Sequence, residues 1–136
     1  MNAFHIMGLP VVWAIDDDDL EQRYEQCQMS VHPDKQPVKD SNRIDESALV
    51  TRAYMILRDP VLRAQHILQL NDAWPMPDYP ELLHALFEWD GCDKKGKYDQ
   101  ATMDFSHACD ERNWEKAHHA YWWMARLRHP SSQGGS

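Results

Sequence analysis

Apolar positions along this chain recur mostly at helical spacing. Leu20, Tyr24, Cys27 and Val31 are separated by four, three and four residues, which places them on one stripe of an amphipathic helix. Asp16 to Asp19 precede the stripe; Asp18 is expected to be its N-cap with Glu21 at the third helical position, and the remaining acids favour the positive end of the helix dipole. The acidic run therefore reads as a solvated helix start rather than a docking patch. Pro33 stops this helix near Val31, since proline lacks a backbone N–H and disfavours helix in the residue before it. Gln36 to Ser41, with Pro37 and no apolar run, reads as an exposed loop. Val50, Ala53, Tyr54 and Leu57, with Ile44 earlier on the same side, predict a second helix antiparallel to the first. At Asp59-Pro60, Asp59 can cap a third helix that runs to about Leu70 with Val61, Ala64, Ile67 and Leu68 inward. Ahead of all this, Phe4, Ile6, Met7 and Leu9, broken by Gly8 and Pro10, form a short segment expected to lie as a lid on the core.

From Asn71 to Pro80 the pattern lapses, and Pro75, Pro77 and Pro80 mark the stretch as the candidate linker. Beyond it Leu82, Leu83, Leu86 and Phe87 predict a short helix ending before Gly91. Tyr98, Ala101, Phe105, Ala108 and Cys109 predict another, and Trp114, Ala117, Tyr121, Met124 and Leu127 a third, with Asn113 as its N-cap after a tight turn from Asp110. The expected architecture is all-α: a first domain over 1–72, a three-helix antiparallel bundle over 78–129, and a disordered tail over 130–136.

Composition narrows the function. A chain of 136 residues, 43% hydrophobic and 26% charged, can bury one core or two small ones. A net charge of −8 argues against nucleic acid or an anionic membrane surface as the main partner and leaves another protein. No run is long enough to span a bilayer, and the first residues lack the basic segment of a signal peptide. Cys27, Cys92 and Cys109 are widely spaced, without a C-x-x-C pair, which fits a reducing cytoplasm.

Candidate chemistry is sparse. His32 and Asp34 as general base and orienting carboxylate lack a nucleophile in a recognisable context, and no phosphate-binding glycine loop is present. His107, Cys109, His118 and His119 lack the i, i+4 pairing that aims two ligands at one metal; they read as surface or half-buried residues. No cofactor and no metal are expected. Trp114 is expected in the core, whereas adjacent Trp122 and Trp123 point about 100° apart on a helix, so at least one faces solvent or an interface. The distinctive feature is His32-Pro33-Asp34-Lys35, a rigid corner that shows an imidazole, a carboxylate and an ammonium between two helices.

The order Gly8-Leu9-Pro10, Leu20, Arg23-Tyr24, His32-Pro33-Asp34-Lys35, Ala53-Tyr54, Leu57-Arg58-Asp59-Pro60 and Arg63-Ala64 resembles a J domain. The run from Leu57 to Leu70 is similar, more narrowly, to the HscB family, J-domain co-chaperones of iron-sulfur cluster assembly; the resemblance covers about residues 3–70 well and 80–128 more loosely. It implies an antiparallel helical hairpin with the His-Pro-Asp turn, followed by a client-binding bundle. It also implies a co-chaperone that is not itself an enzyme, stimulates the ATPase of a DnaK-type, HscA-like chaperone and delivers an IscU-like scaffold protein. On that resemblance His32, Pro33, Asp34, Lys35 and Arg23 would meet the chaperone, and Leu82, Leu83, Leu86 and Phe87 the client. Met29 and Val31 stand where HscB commonly has a basic and an aromatic residue, and the last helix lacks the family's final turns. The alternatives kept open are a helical interaction module without ATPase stimulation, and a J protein serving a different client.

Overall fold

The computed structural model describes residues 2–31 and 41–128, with the side chains of residues 30, 31 and 41–45 excepted. Seven helices and no strands occur among the described residues: α1 (Ala3–Ile6), α2 (Asp17–Val31), α3 (Ser41–Arg58), α4 (Pro60–Leu70), α5 (Pro80–Glu88), α6 (Lys94–Glu111) and α7 (Trp114–Leu127). The fold is all-α, and the chain divides into two compact units, Met1–Leu70 and Asn71–Ser136.

In the first unit the apolar stripes face inward as expected over the described side chains, which do not include Val31 and Ile44. Leu20, Val50, Ala53, Leu57, Val61, Ala64, Ile67 and Leu68 are buried, while Tyr24, Cys27 and Tyr54 are half-buried. The cap of α2 differs from the expectation. Asp16, not Asp18, closes the helix: its carboxylate accepts from the Asp18 amide at 2.8 Å and its carbonyl takes the first helical bond from Leu20 at 2.9 Å. In a run of four aspartates every position has capping chemistry, and the first one outside the helix takes the role. Asp59 caps α4 as expected, accepting from the Val61 amide at 3.0 Å.

The single-turn α1 is the lid. Phe4 and Met7 are buried, Phe4 stacks on His66 of α4 at 5.8 Å, and the Ala3 amide donates to His66 Nε2 at 3.1 Å. Burial lowers the pKa of His66, which keeps the ring neutral and its Nε2 lone pair available to that amide. Sequence periodicity gave no sign that Arg63 would be buried. Its Nε donates to the Leu57 carbonyl at 2.8 Å, an Nη to the Trp13 carbonyl at 2.7 Å, and its guanidinium lies 5.3 Å from the Trp13 ring centroid. These bonds fasten the segment between α1 and α2 across the α3–α4 corner.

In the second unit α6 and α7 form an antiparallel hairpin. Arg112 adopts a left-handed conformation (φ 55°), and Asn113 caps α7 by accepting from the Lys116 amide at 3.2 Å, so two residues reverse the chain. Ala101, Phe105 and Ala108 face Ala117, Ala120 and Met124 in a core whose small residues let the helices approach closely. Glu81 meets His119 and Trp89 meets Trp123, about one turn further along α7; α5 thus runs parallel to α7 and antiparallel to α6, as expected of the bundle. Asn113→Ala should lower stability by about 1 kcal/mol, the usual worth of such a cap, read as a shift in a denaturant melt.

The stretch read as a linker is corrected. Ala73 is buried, its carbonyl lies 2.7 Å from His118 Nε2, and Tyr79 Oη lies 2.8 Å from His118 Nδ1. Trp74 also meets Tyr121 edge-on at 5.4 Å. Prolines here hold an extended strap against α7 rather than a free connection, and the aromatic residues among them were the signal for it. His118 is corrected with it, because it is buried within the unit rather than on its surface. The expected tail, 130–136, lies outside the described residues.

Candidate functional site

Two surfaces carry the candidate residues. The first lies where α2 and α3 meet. Tyr24 and Tyr54 stack at 4.0 Å, Tyr54 donates its hydroxyl to Glu21 at 2.8 Å, and Arg58 lies 5.5 Å above the Tyr54 ring. The bond to the Glu21 carboxylate, followed by burial and the same negative charge, raises the Tyr54 pKa and keeps the hydroxyl a donor. One turn further along, the Gln28 amide donates to Thr51 at 3.0 Å and to the Tyr24 hydroxyl at 3.2 Å, and accepts from Ser47 at 3.2 Å. Residue numbers fall on α3 as they rise on α2, so the two helices are antiparallel and tied together through successive side-chain bonds. Gln28 stands in the last turn of α2, which ends at Val31.

His32, Pro33, Asp34 and Lys35 themselves lie outside the described residues, between the end of α2 at Val31 and the start of α3 at Ser41. Arg23, the fifth candidate on this side, is half-exposed and engaged within the unit. Its Nε pairs with Asp19 at 3.1 Å and its Nη1 donates to the Gly8 carbonyl at 2.9 Å. Gly8 has a φ of 71°, and a Cβ there would sit 3.2 Å from that Nη1, so the glycine both makes the turn after α1 and admits the arginine. The sequence did not reveal this structural duty of Arg23.

The second surface is α5. Leu83 is 44% and Phe87 77% exposed, and Leu86 is half-buried. Leu82 is corrected: at 6% exposure it is turned into the core, and so cannot offer a surface to a partner. The reason is the arc, since one of four apolar residues suffices to dock so short a helix and the other three are left outward or at the margin. An apolar group of this size on a rigid helix suits a partner's own apolar face.

Beside α5, a groove of about 440 Å³ runs along α6 and α7, with Asp104, His107, Glu111, Lys116 and His119 on its walls. Charges of both signs face it, and no group of three or more His, Cys, Asp or Glu able to hold a metal occurs among the described residues. Burial, with the charge of Asp110, pushes the Cys109 thiol up to about 12, far from a reactive thiolate. No described helix is long and apolar enough to cross a membrane.

No family model matches the sequence. Over 75 residues it is 32% identical to the co-chaperone protein HscB homolog of Shewanella amazonensis and 37% to that of Shewanella woodyi, in each case over 52% of this chain and 43% of the relative. The Psychromonas ingrahamii homolog is 38% identical over 74 residues, 44% of its length. The match thus spans under half the length of these relatives. Among solved structures, HscB from Vibrio cholerae superposes with a TM-score of 0.76 at 19% identity, over 93% of this chain and 91% of that one. Human HscB gives 0.64 at 23% identity, over 93% and 78%. The chain is therefore HscB-like: it has the all-helical fold of these HscB structures and is 32–38% identical to HscB homologs over about half of its own length.

Proposed function

We propose that this protein is a J-domain co-chaperone that stimulates ATP hydrolysis by a DnaK-type, HscA-like chaperone and brings it an IscU-like scaffold protein for iron-sulfur cluster assembly. The observation that carries the reading is the frame around the turn: α2 and α3 are antiparallel and tied by Gln28, Thr51, Ser47 and the Tyr24–Tyr54 stack on either side of His32-Pro33-Asp34. In sequence Asp34 follows Pro33 between these two helices, and a carboxylate there could accept a charge-assisted bond from an arginine. The co-chaperone then shifts the chaperone toward the state it binds better. Adding the protein should speed single-turnover ATP hydrolysis by such a chaperone; an unchanged rate would rule the reading out.

The client limb of the proposal rests on Leu83, Leu86 and Phe87. Leu83→Ala combined with Leu86→Ala should weaken binding of an IscU-like scaffold by about tenfold or more, since apolar anchors of this kind cost roughly 1–2 kcal/mol or more each when truncated. Isothermal titration reads the change, and equal affinities for the folded variant and parent would remove α5 from the site. A second reading, an interaction module that binds without stimulating, is favoured by the engagement of Arg23 with Asp19 and Gly8 and by the exposure of Met29 on α2, where a basic residue would help docking. The same hydrolysis assay separates the two.

A further inference from the structure

Nine residues make α5, too few for a helix to hold itself in water, and Leu82 is its one buried residue. Its attachment therefore depends on what grips its ends. At the N-terminal end Tyr79 meets His119 edge-on at 4.5 Å, and Glu81 lies 3.6 Å from His119 Nε2. At the C-terminal end stands Trp89, the C-cap residue, whose ring meets Trp123 of α7 edge-on at 6.0 Å. Lys97 of α6 completes this end. Its ammonium lies 4.2 Å from the Trp123 centroid and 5.4 Å from that of Trp89, within reach of the negative faces of both rings. One cation thus links all three helices of the bundle at the place where α5 ends.

We infer that Lys97 is a positioning residue: it pins the C-terminal end of α5 and so presents Leu83, Leu86 and Phe87 as one preformed surface. The inference deepens the scaffold-binding role proposed for α5 and rests on it for its consequence, though not for its geometry. A surface already held spares a partner the cost of ordering it. The α6–α7 hairpin has its own core in Phe105, Met124 and the alanines between them, so loosening this end need not unfold the unit. The charge is the requirement. Methionine keeps most of the length and the apolar stem of Lys97 but replaces the cation with a neutral sulfur–ring contact, whereas arginine keeps the charge.

Amide hydrogen exchange on the full chain tests the pin without any partner. In Lys97→Met, amides in the last turn of α5 and of Trp89 should exchange about fivefold faster, those around Phe105 and Met124 should be unchanged, and Lys97→Arg should restore the parent pattern. Titration with an IscU-like scaffold should show a parallel loss of about fivefold in affinity for the methionine variant, again restored by arginine. A parent that binds no scaffold would defeat the proposed client role while the exchange data still decide the pin. Unchanged exchange in Lys97→Met, equal acceleration throughout α6 and α7, or failure of arginine to restore protection would overturn the inference.

Discussion

Leu57→Ala is expected to destabilise the first unit by about 3 kcal/mol, within the roughly 2–5 kcal/mol seen when a fully packed leucine is truncated. Leu57 has no exposed surface, lies on the inner stripe of α3 with Val50 and Ala53, and sits beside the corner where Arg63 donates to its carbonyl. Removing the side chain leaves a cavity among packed helices, which relax into it only in part. Leu49→Ala is the contrast. At 45% exposure on the same helix, it should change stability by less than about 1 kcal/mol. Denaturant melts of the two variants read the difference directly, and similar midpoints would mean that α3 buries another face.

Much of the fold was legible because its helices are amphipathic and punctuated. The inner stripes of α3 and α4 and the caps at Asp59 and Asn113 follow from spacing and from residues whose chemistry has one local use. What escaped the sequence is long-range. The burial of Arg63 depends on two carbonyls, one of them fifty residues away, and no local pattern encodes that. The strap from Ala73 to Tyr79 was hidden because Pro75 and Pro77 mark it as irregular, while its hold on the unit comes from the buried His118 ring, bonded on both nitrogens. The cap of α2 was misplaced by two residues because four adjacent aspartates are locally equivalent.

The candidate site divides in the same way. That α5 carries more apolar residues than one stripe needs was visible in its sequence; that Leu82 is the inward one and Lys97 grips the far end needed the positions of α6 and α7. Arg23 shows the converse. Its place in a motif marked it for a partner, and it also serves the unit by binding Asp19 and Gly8.

The central claim is that Asp34 acts on a partner rather than on the fold, and Asp34→Asn isolates it. The change keeps the size and polarity of the side chain and removes its charge, so a charge-assisted bond is lost, with an expected loss of tenfold or more in stimulation. The decisive measurement is single-turnover ATP hydrolysis by a DnaK-type chaperone with the parent and with the Asp34→Asn variant, each shown by melting to be equally folded. The account predicts stimulation by the parent and none, or nearly none, by the variant; equal stimulation by both would contradict it.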